Sequence, residues 1–204
     1  MSPPLTIYMG YGSNLWLHQM RTRCPTSTYL GIARLQNYKW LINDRGYANV
    51  VQVPSSPPTS TTSPHHSYPN VVYGLVYSLQ NTDEERLDRN EGVPVAYTKE
   101  YLSCDFWAAA HGAGSKIDTS DPPTKTREML VYIDRKRVEE DEPKEEYVYR
   151  MNRGIEDAIK VGVPVKYVDE VMRKFIPKEE GKSKGIEEKA LRQAGEFVDE
   201  SGVY

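Results

Sequence analysis

The sequence contains little cysteine. Its 204 residues include only Cys24 and Cys104, which are too few for a disulfide framework and lack the paired spacing of a zinc site. We therefore expect reduced thiols. Cys24 would need a histidine as its base to act as a nucleophile. The sequence places none of its four histidines beside it, so we favour a packing or surface role.

Long apolar runs and an excess of positive charge are also missing. No segment reaches the roughly 18 apolar residues of a membrane span, and the first ten residues, MSPPLTIYMG, lack the basic and apolar regions of a signal peptide. Lys and Arg number 26 against 29 Asp and Glu, so the chain has no global positive field for nucleic acid or anionic lipid. We expect a soluble cytoplasmic protein that binds neither nucleic acid nor membrane.

The length is typical of one domain with a short extension. Apolar residue types make up 38% of the chain, which is enough for a hydrophobic core. Residues 54–70 are dominated by Pro, Ser and Thr and bury little apolar surface, so we predict a mobile loop there. The His65-His66 pair in this loop has no Cys, Asp or Glu partner nearby, and we favour solvated histidines over a metal site. We place one domain at 1–177 and a charged, loosely held, partly helical tail at 178–204.

Hydrophobic periodicity predicts strands in the first two thirds of the chain and helices towards its end. Strand patterns occur at 5–9, 29–36, 37–43, 47–53, 71–79, 97–109 and 129–133. Helical patterns occur at 14–23, 82–91, 147–161 and 164–175, the second opening on a capping-box signature at Thr82–Glu85. A second polar loop is predicted at 111–126. Because this order differs from alternating βαβ units, we predict an α+β fold with a mostly antiparallel sheet or barrel.

Two local features carry candidate chemistry. The first is the turn Gly10-Tyr11-Gly12-Ser13, which lies between a predicted strand and a predicted helix with Ser13 as a plausible N-cap. Its backbone N–H groups are able to converge on a carboxylate or an oxyanion. A purely structural turn is the alternative interpretation.

The second feature is Glu91, which follows the short helix and precedes Gly92. The carbonyl end of a helix disfavours negative charge. If Glu91 is also buried, its pKa rises towards neutrality and the side chain becomes a usable acid or base. The alternative is an ordinary surface residue at a helix end.

Taken together, five segments resemble the γ-glutamylcyclotransferase family. They occur in the family's order over about residues 5–176, and YGSN with a glutamate in an EGV context are the most specific pieces. The segments are LTIYMGYGSNL, IARLQNYKW, VVYGLVYSL, LDRNEGVPVAYTKEYL and EYVYRMNRGIEDAIKVGVP. The resemblance implies a small mixed, mostly antiparallel β-barrel with flanking helices. It also implies cofactor-independent, metal-free cyclisation of a γ-glutamyl amide to 5-oxoproline and a free amine, in glutathione metabolism, by a monomer or homodimer.

The resemblance also implies the roles of individual residues. Glu91 corresponds to the catalytic acid and base of the family. The substrate-binding residues that correspond by position are Tyr11, Gly12, Ser13, Asn14, Leu15, Tyr97 and Tyr147. Plain packing remains an alternative for Tyr147.

Three questions stay open at the level of sequence. The first is the substrate that releases the amine, for which the alternatives are a γ-glutamyl amino acid, a glutathione-derived conjugate, intact glutathione and a γ-glutamylamine. A non-catalytic protein that binds a small acid on the same fold is the rival hypothesis. A hydrolase that releases glutamate is a third.

Overall fold

The computed structural model describes residues 5–54, 68–178 and 184–201. Most of the predicted loop at 54–70, including His65 and His66, lies outside the described residues. Within the described residues the elements are, in chain order, β1 (Thr6–Gly10), α1 (Leu17–Arg23), β2 (Thr28–Gln36), β3 (Tyr38–Ile42), β4 (Ala48–Gln52), β5 (Val71–Leu79), α2 (Asn81–Asn90), β6 (Thr98–Ala108), β7 (Ala110–Ala113), β8 (Lys125–Ile133), α3 (Glu145–Val161), α4 (Val165–Glu170) and α5 (Lys184–Gly195). Short 3₁₀ turns lie at Ser13–Leu15 and Met172–Lys174.

Five strands close into a barrel in the order β1-β5-β2-β6-β8. Neighbouring strands are antiparallel, except that β8 pairs with β1 in parallel and closes the ring. Strand β5 is buried along almost its whole length because it lies between β1 and β2 and is also contacted by β3 and α2. The small, mixed, mostly antiparallel barrel with flanking helices confirms the predicted fold class.

Strands β3 and β4 form a hairpin separate from the barrel, and this hairpin contributes one wall of the candidate active site. The two strands pair antiparallel from Tyr38 opposite Gln52 to Ile42 opposite Ala48. Residues 44–46 lie in the turn between them, and Gly46 takes a positive φ of +84° there. This turn carries the side chain of Arg45 to the interior of the molecule, where it is 1% exposed.

Helix α3 begins at Glu145, two residues before the helical pattern predicted at 147–161. Its buried face contains Tyr147, Met151, Ile155 and Ala158, which is the apolar stripe expected from a period of 3.6 residues. The helix ends at Gly162, whose φ is +123°. The helix contacts mainly the 3₁₀ turn at Ser13–Leu15 and α5, and Tyr147 in its first turn is buried.

Several local predictions were wrong. Helix α2 begins at Asn81 with Gln80 as N-cap and no side-chain cap, so the predicted capping box does not form. Residues 111–126 are not all loop, because β7 reaches Ala113 and β8 starts at Lys125, opposite Phe106 of β6. Pairing across the sheet extends β8 through charged residues whose own preference for strands is low.

The C-terminal segment, defined here as residues 184–201, is packed where the sequence predicts a loosely held tail. Its helix α5 buries Ala190, Gln193 and Ala194. The guanidinium of Arg23 donates to the carbonyl oxygens of Gln193 at 2.7 Å and Ala194 at 3.0 Å. A narrow face of small and polar residues and a partner 170 residues away in the chain hold this segment, and neither gives a hydrophobic signal in the sequence. Among the described residues, no helix is long and apolar enough to cross a membrane.

Candidate active site

A cavity opens where β1 runs into the turn at 11–14. It holds about 490 Å³ of empty space, counting its open mouth. Its walls come from β1, the turn, α1, the β3–β4 hairpin, the end of α2, β8, the start of α3 and the C-terminal segment. Residues from distant parts of the chain therefore line the cavity, and several of them are polar or charged.

Glu91 lies at the wall of this cavity because of the way that α2 ends. The N–H of Val93 donates to the carbonyl oxygen of Asp88 at 3.0 Å, and Gly92 takes a positive φ of +63°. Together these form the Schellman ending of a helix, in which the residue after the cap is left-handed and is usually glycine. The turn fixes Glu91 as the C-cap residue, half-buried and facing the cavity.

The carboxyl group of Glu91 has a raised pKa. Burial is the largest cause, because it penalises the charged form. The positive charges of Arg23, Arg45 and Arg150 and a hydrogen bond from Asn14 act in the opposite direction and lower the pKa. The net rise moves the pKa of Glu91 towards neutral pH, which is the direction that favours a group able both to take and to give a proton.

Asn14 fixes the position of the Glu91 carboxyl group. Its Nδ2 donates to Glu91 Oε1 at 3.2 Å and to the Tyr8 hydroxyl at 2.8 Å. Its Oδ1 accepts from Gln19 Nε2 at 2.7 Å and from Arg23 Nη1 at 3.3 Å. With both ends of the amide engaged, Asn14 has one orientation, and that orientation presents a donor to Glu91.

The glycine turn brings the Tyr147 hydroxyl into the site. A Cβ atom on Gly12 would lie 2.8 Å from that hydroxyl oxygen, so only glycine allows the approach. The Tyr147 hydroxyl accepts from the N–H of Ser13 at 3.2 Å and from the N–H of Ala48 at 3.3 Å. Because these two bonds occupy its oxygen, the hydroxyl has its own hydrogen left to donate.

The predicted role of Ser13 as a helix N-cap was wrong. Residues 13–15 form a separate 3₁₀ turn, and Trp16 is the N-cap of α1. The Ser13 hydroxyl instead accepts from Gln19 Nε2 at 2.9 Å and from Arg150 Nη1 at 3.0 Å. Side chains therefore hold the turn in place. The backbone N–H of Ser13 contributes to the site by donating to the Tyr147 hydroxyl.

Three buried arginines surround the cavity. Arg150 forms a bidentate pair with Glu146 at 2.8 and 2.9 Å, and Arg45 Nε donates to Asp199 Oδ2 at 3.0 Å. Arg23 donates to two carbonyl oxygens and to the Asn14 amide. When all of these groups are ionised, two arginines are neutralised by their own carboxylates, and the charge of Arg23 remains opposite that of Glu91.

The predicted tyrosines lie in the cavity wall as neutral side chains. Tyr11 donates to the carbonyl oxygen of Tyr132 at 2.5 Å, and Tyr97 donates to that of Ala48 at 2.8 Å. Burial raises the pKa of Tyr147 to about 12 and the pKa values of Tyr11 and Tyr97 well above the usual range. None of the three is a base at neutral pH.

The structure brings together all but one of the residues that the sequence indicated. The cavity is lined by Tyr11, Gly12, Ser13, Asn14, Glu91, Tyr97 and Tyr147. Leu15 does not line it and is fully buried in the core, where its Cβ lies 3.0 Å from the position that a Cβ on Gly154 would take.

Sequence reasoning missed the arginines and the contribution of the C-terminal segment. Arg150 was detectable, because Glu146 precedes it by four residues and the two are next to the apolar stripe of α3. Arg45 and Asp199 are 154 residues apart in the chain, so no local pattern connects them. Phe197 lines the cavity through a segment that was assigned to the tail.

The structure leaves little chemistry for the cysteines. Cys24 is buried and its thiol contacts the carbonyl oxygen of Asp83 at 3.6 Å. Burial raises the pKa of Cys24 to about 12, so the side chain is protonated at neutral pH and is a poor nucleophile. Within the described ranges no group of three or more His, Cys, Asp or Glu is arranged to hold a metal ion.

Comparison with known proteins identifies the fold. No protein-family model and no curated protein matches the chain. A solved structure of a γ-glutamyl cyclotransferase has a TM-score of 0.62 at 21% identity and covers 93% of this chain and 99% of its own. The structure of an uncharacterized protein from Homo sapiens has a TM-score of 0.63 at 22% identity, and the match covers 92% of this chain and 98% of that protein.

A third similar structure is YkqA from Bacillus subtilis. Its TM-score is 0.58 at 14% identity, and the match covers 87% of this chain and 56% of YkqA. The chain therefore has the γ-glutamylcyclotransferase fold, which confirms the fold that the resemblance in sequence implied.

Proposed function

We propose that this protein is a γ-glutamylcyclotransferase, which converts a γ-glutamyl amide to 5-oxoproline and a free amine. The observation that carries the proposal is Glu91, a carboxyl group with a raised pKa that lines a cavity with the glycine turn. Similarity to a solved γ-glutamyl cyclotransferase structure supports the same function. The substrate would be a γ-glutamyl amino acid or a glutathione-derived conjugate.

The first step of the reaction, deprotonation of the α-amine, needs a base. The substrate's α-amine is a cation at neutral pH, with a typical pKa of about 7.7–8.0, and it cannot attack its own γ-carbonyl until it loses a proton. In our proposal Glu91 takes this proton. The amine nitrogen then forms a bond to the γ-carbon and a five-membered ring closes. Since the attack is intramolecular, a cavity that holds the glutamyl chain curled supplies the orientation, and no covalent enzyme intermediate is needed.

The departing amine needs an acid. Counting hydrogens, two protons move from the α-nitrogen to the leaving nitrogen between substrate and products. Glu91 carries them one at a time, so a single carboxyl group serves both halves of the reaction. The C–N bond to the leaving amine breaks, and the lactam carbonyl re-forms.

The tetrahedral intermediate carries a negative charge on its oxygen. The hydroxyl of Tyr147, which accepts from two backbone N–H groups, has its hydrogen free to donate to this oxyanion. Donors of this kind contribute about 3–4 kcal/mol to transition-state stabilisation. When Glu91 is protonated, the uncompensated charge of Arg23 also favours the oxyanion.

A substrate panel tests the proposal. The purified protein is incubated with γ-glutamyl-alanine, glutathione, a glutathione S-conjugate and γ-glutamyl-lysine, and 5-oxoproline is measured by mass spectrometry. We expect 5-oxoproline from at least one substrate, and the variant Glu91→Gln should lose at least about 1,000-fold in kcat. Glu85→Gln is the matched control, because Glu85 is exposed on the same helix and should keep full activity.

Other products would reject the proposal in recognisable ways. Release of glutamate instead of the lactam would indicate a hydrolase. Binding of small γ-glutamyl acids with no product from any of the four substrates would indicate a binding protein on this fold. Full turnover by a folded Glu91→Gln variant would remove Glu91 from the mechanism.

A further inference from the structure

Arg45 is a buried cation that the reaction scheme above does not use. Its side chain is 1% exposed and yet forms part of the cavity wall that also contains Glu91. The two groups are close enough for the charge of Arg45 to lower the pKa of Glu91. A buried charge is costly unless each of its hydrogen-bond donors has a partner. A donor of Arg45 that has no partner in the protein therefore indicates a position for a ligand atom.

The donors of Arg45 are only partly satisfied. Its Nε and Nη2 both donate to Asp199 Oδ2, the first at 3.0 Å. Its Nη1 is buried and has no hydrogen-bond partner among the described residues. The neighbouring arginines differ in this respect, since Nη1 of Arg150 donates to Ser13 Oγ and Nη1 of Arg23 donates to Asn14 Oδ1. Arg45 alone of these three has an unused Nη1 group.

The guanidinium of Arg45 is held in a fixed position. It lies over the rings of Tyr97, at 5.2 Å, and Tyr47, at 5.6 Å. Its own backbone N–H donates to Asn43 Oδ1 at 3.2 Å, which braces the hairpin turn that carries it. Asp199 fixes the opposite edge of the guanidinium. The unused N–H group is therefore preorganised, and a ligand that pairs with it does not have to order the side chain.

We propose that Arg45 binds the α-carboxylate of the γ-glutamyl substrate through Nη1, with Asp199 as the positioning residue that holds it. This inference rests on the proposed function. An α-amino acid head group carries a cation and an anion on the same carbon, and the cavity offers the complement of each: Glu91 for the ammonium and Arg45 for the carboxylate. Tyr147 is then left for the oxyanion. A buried, charge-assisted bond of this kind also selects against γ-glutamyl compounds that lack a free α-carboxylate.

The test compares two substrates that differ at one group. One is the γ-glutamyl substrate that the panel identifies, and the other is the same molecule with its glutamyl α-carboxylate converted to a primary carboxamide. We expect wild-type kcat/KM to be about 100-fold higher for the carboxylate, and Arg45→Gln to lose about 100-fold on the carboxylate. Because Arg45 also lowers the pKa of Glu91, the comparison is made at a pH above the acid limb of each variant, where Arg45→Gln should change little on the carboxamide. Arg45→Lys should recover part of the loss because it keeps the charge.

Two further variants separate binding from folding. Arg45→Gln leaves the Asp199 carboxylate buried without its partner, so the double variant Arg45→Gln, Asp199→Asn removes both charges and should show the same loss of discrimination. Asp199→Asn alone should raise KM for the carboxylate substrate more than it lowers kcat. Arg34→Gln is the matched control, because Arg34 pairs with Asp105 at 2.8 Å and is not part of this cavity. Thermal melting checks that each variant is folded.

Direct binding of the product gives an independent measurement. Calorimetric titration with 5-oxoproline and with its carboxamide should show that wild-type protein prefers the acid and that Arg45→Gln does not. If wild type makes 5-oxoproline but folded Arg45 variants lose activity equally on both substrates, or lose none, this inference is overturned and the proposed function stands. If wild type makes no 5-oxoproline yet binds the acid through Arg45, the proposed function fails and the carboxylate site stands. Absence of both turnover and binding overturns both.

Discussion

At the scale of single residues, Glu91 occupies a position that costs stability. Burial raises its pKa above the usual value for glutamate, so the native state disfavours the ionised form. Below the unfolded-state pKa of about 4.3, Glu91 is protonated in both states and costs no stability. The loss of stability grows as the pH rises towards the native pKa and is complete above it. Each unit of pKa shift corresponds to about 1.4 kcal/mol.

Glu91→Gln should therefore stabilise the protein at neutral pH. The amide is neutral at every pH, keeps the shape of the side chain and removes the cost of burying a charge. We expect a larger free energy of unfolding than wild type at pH 7, measured by urea denaturation, and a difference that shrinks towards zero at pH 4. A variant that is less stable than wild type at pH 7 would show that the attraction between Glu91 and the arginines outweighs its burial.

Arg23 should set the acid limb of the pH profile. Among the groups that lower the pKa of Glu91, its positive charge has the largest effect. Replacing it by glutamine removes that charge, so the pKa of Glu91 rises further and the acid limb of kcat/KM should move up by about one pH unit. Arg23→Lys is the control and should leave the limb close to its wild-type position. An unchanged profile in Arg23→Gln would mean that Glu91 is not the group that titrates.

At the scale of elements, the end of α2 determines where the carboxyl group of Glu91, the proposed acid and base, lies. Gly92→Ala forces a left-handed φ of +63° on alanine and places its Cβ 3.0 Å from the Cβ of Ala96. We expect a loss of about 1–2 kcal/mol in stability and a fall in kcat, because the turn has to rearrange next to Glu91. Stability is measured by chemical denaturation and kcat with the substrate from the panel.

Gly185→Ala is the matched control for this change. Gly185 lies in α5, and a Cβ there meets no atom within 4 Å. Alanine favours helix over glycine, so this substitution should leave activity unchanged and stability equal or higher. If Gly92→Ala behaves in the same way as Gly185→Ala, the turn after α2 does not constrain the site.

Element patterns explain why much of the fold was predictable. Strands β2 to β6 and helix α3 carry their own periodicity, so their existence can be inferred without tertiary information. Glu91 was identifiable because Gly92 marks the end of a helix next to it. The start of β8 was not, since Lys125 and its neighbours become strand only through pairing with β6, whereas its end at Ile133 agrees with the predicted strand at 129–133.

The site itself was less predictable than the fold. The turn at 11–14 and Glu91 each have a local signature, whereas the arginine partners do not. Arg45 reaches the cavity because Asp199 holds it from the far end of the described chain. Helix α5 is rich in charge, and only Ala190, Gln193 and Ala194 among its residues are buried. A contact that depends on small and polar residues leaves no hydrophobic pattern to read.

At the scale of the whole molecule, the barrel and the cavity depend on different lengths of chain. All five barrel strands are complete by Ile133, but the cavity also uses Phe197 and the anchor at Asp199. The proposed domain boundary at 177 can therefore be tested by deleting residues 178–204. We expect the shortened protein to keep the barrel, seen as a retained β signal in far-ultraviolet circular dichroism, and to lose the proposed cyclotransferase activity.

The reason is electrostatic as well as steric. Without residues 193 and 194, Arg23 loses two carbonyl acceptors, and without Asp199 the buried charge of Arg45 loses its carboxylate. Because the charges of both arginines lower the pKa of Glu91, a change in their positions would change that pKa. A shortened protein with wild-type kcat and KM would show that the C-terminal segment is not part of the site.

The position of Phe197 has a consequence for how the protein matures. Its N–H donates to the side chain of Asn90 at 2.9 Å, and its ring packs on that of Tyr47 at 5.0 Å. All five barrel strands precede this phenylalanine in the chain, so a nascent chain can complete the barrel before the cavity wall at Phe197 is in place. A chain that ends before Phe197 would accordingly contain all the barrel strands but lack one wall of the cavity and the carboxylate that pairs with Arg45.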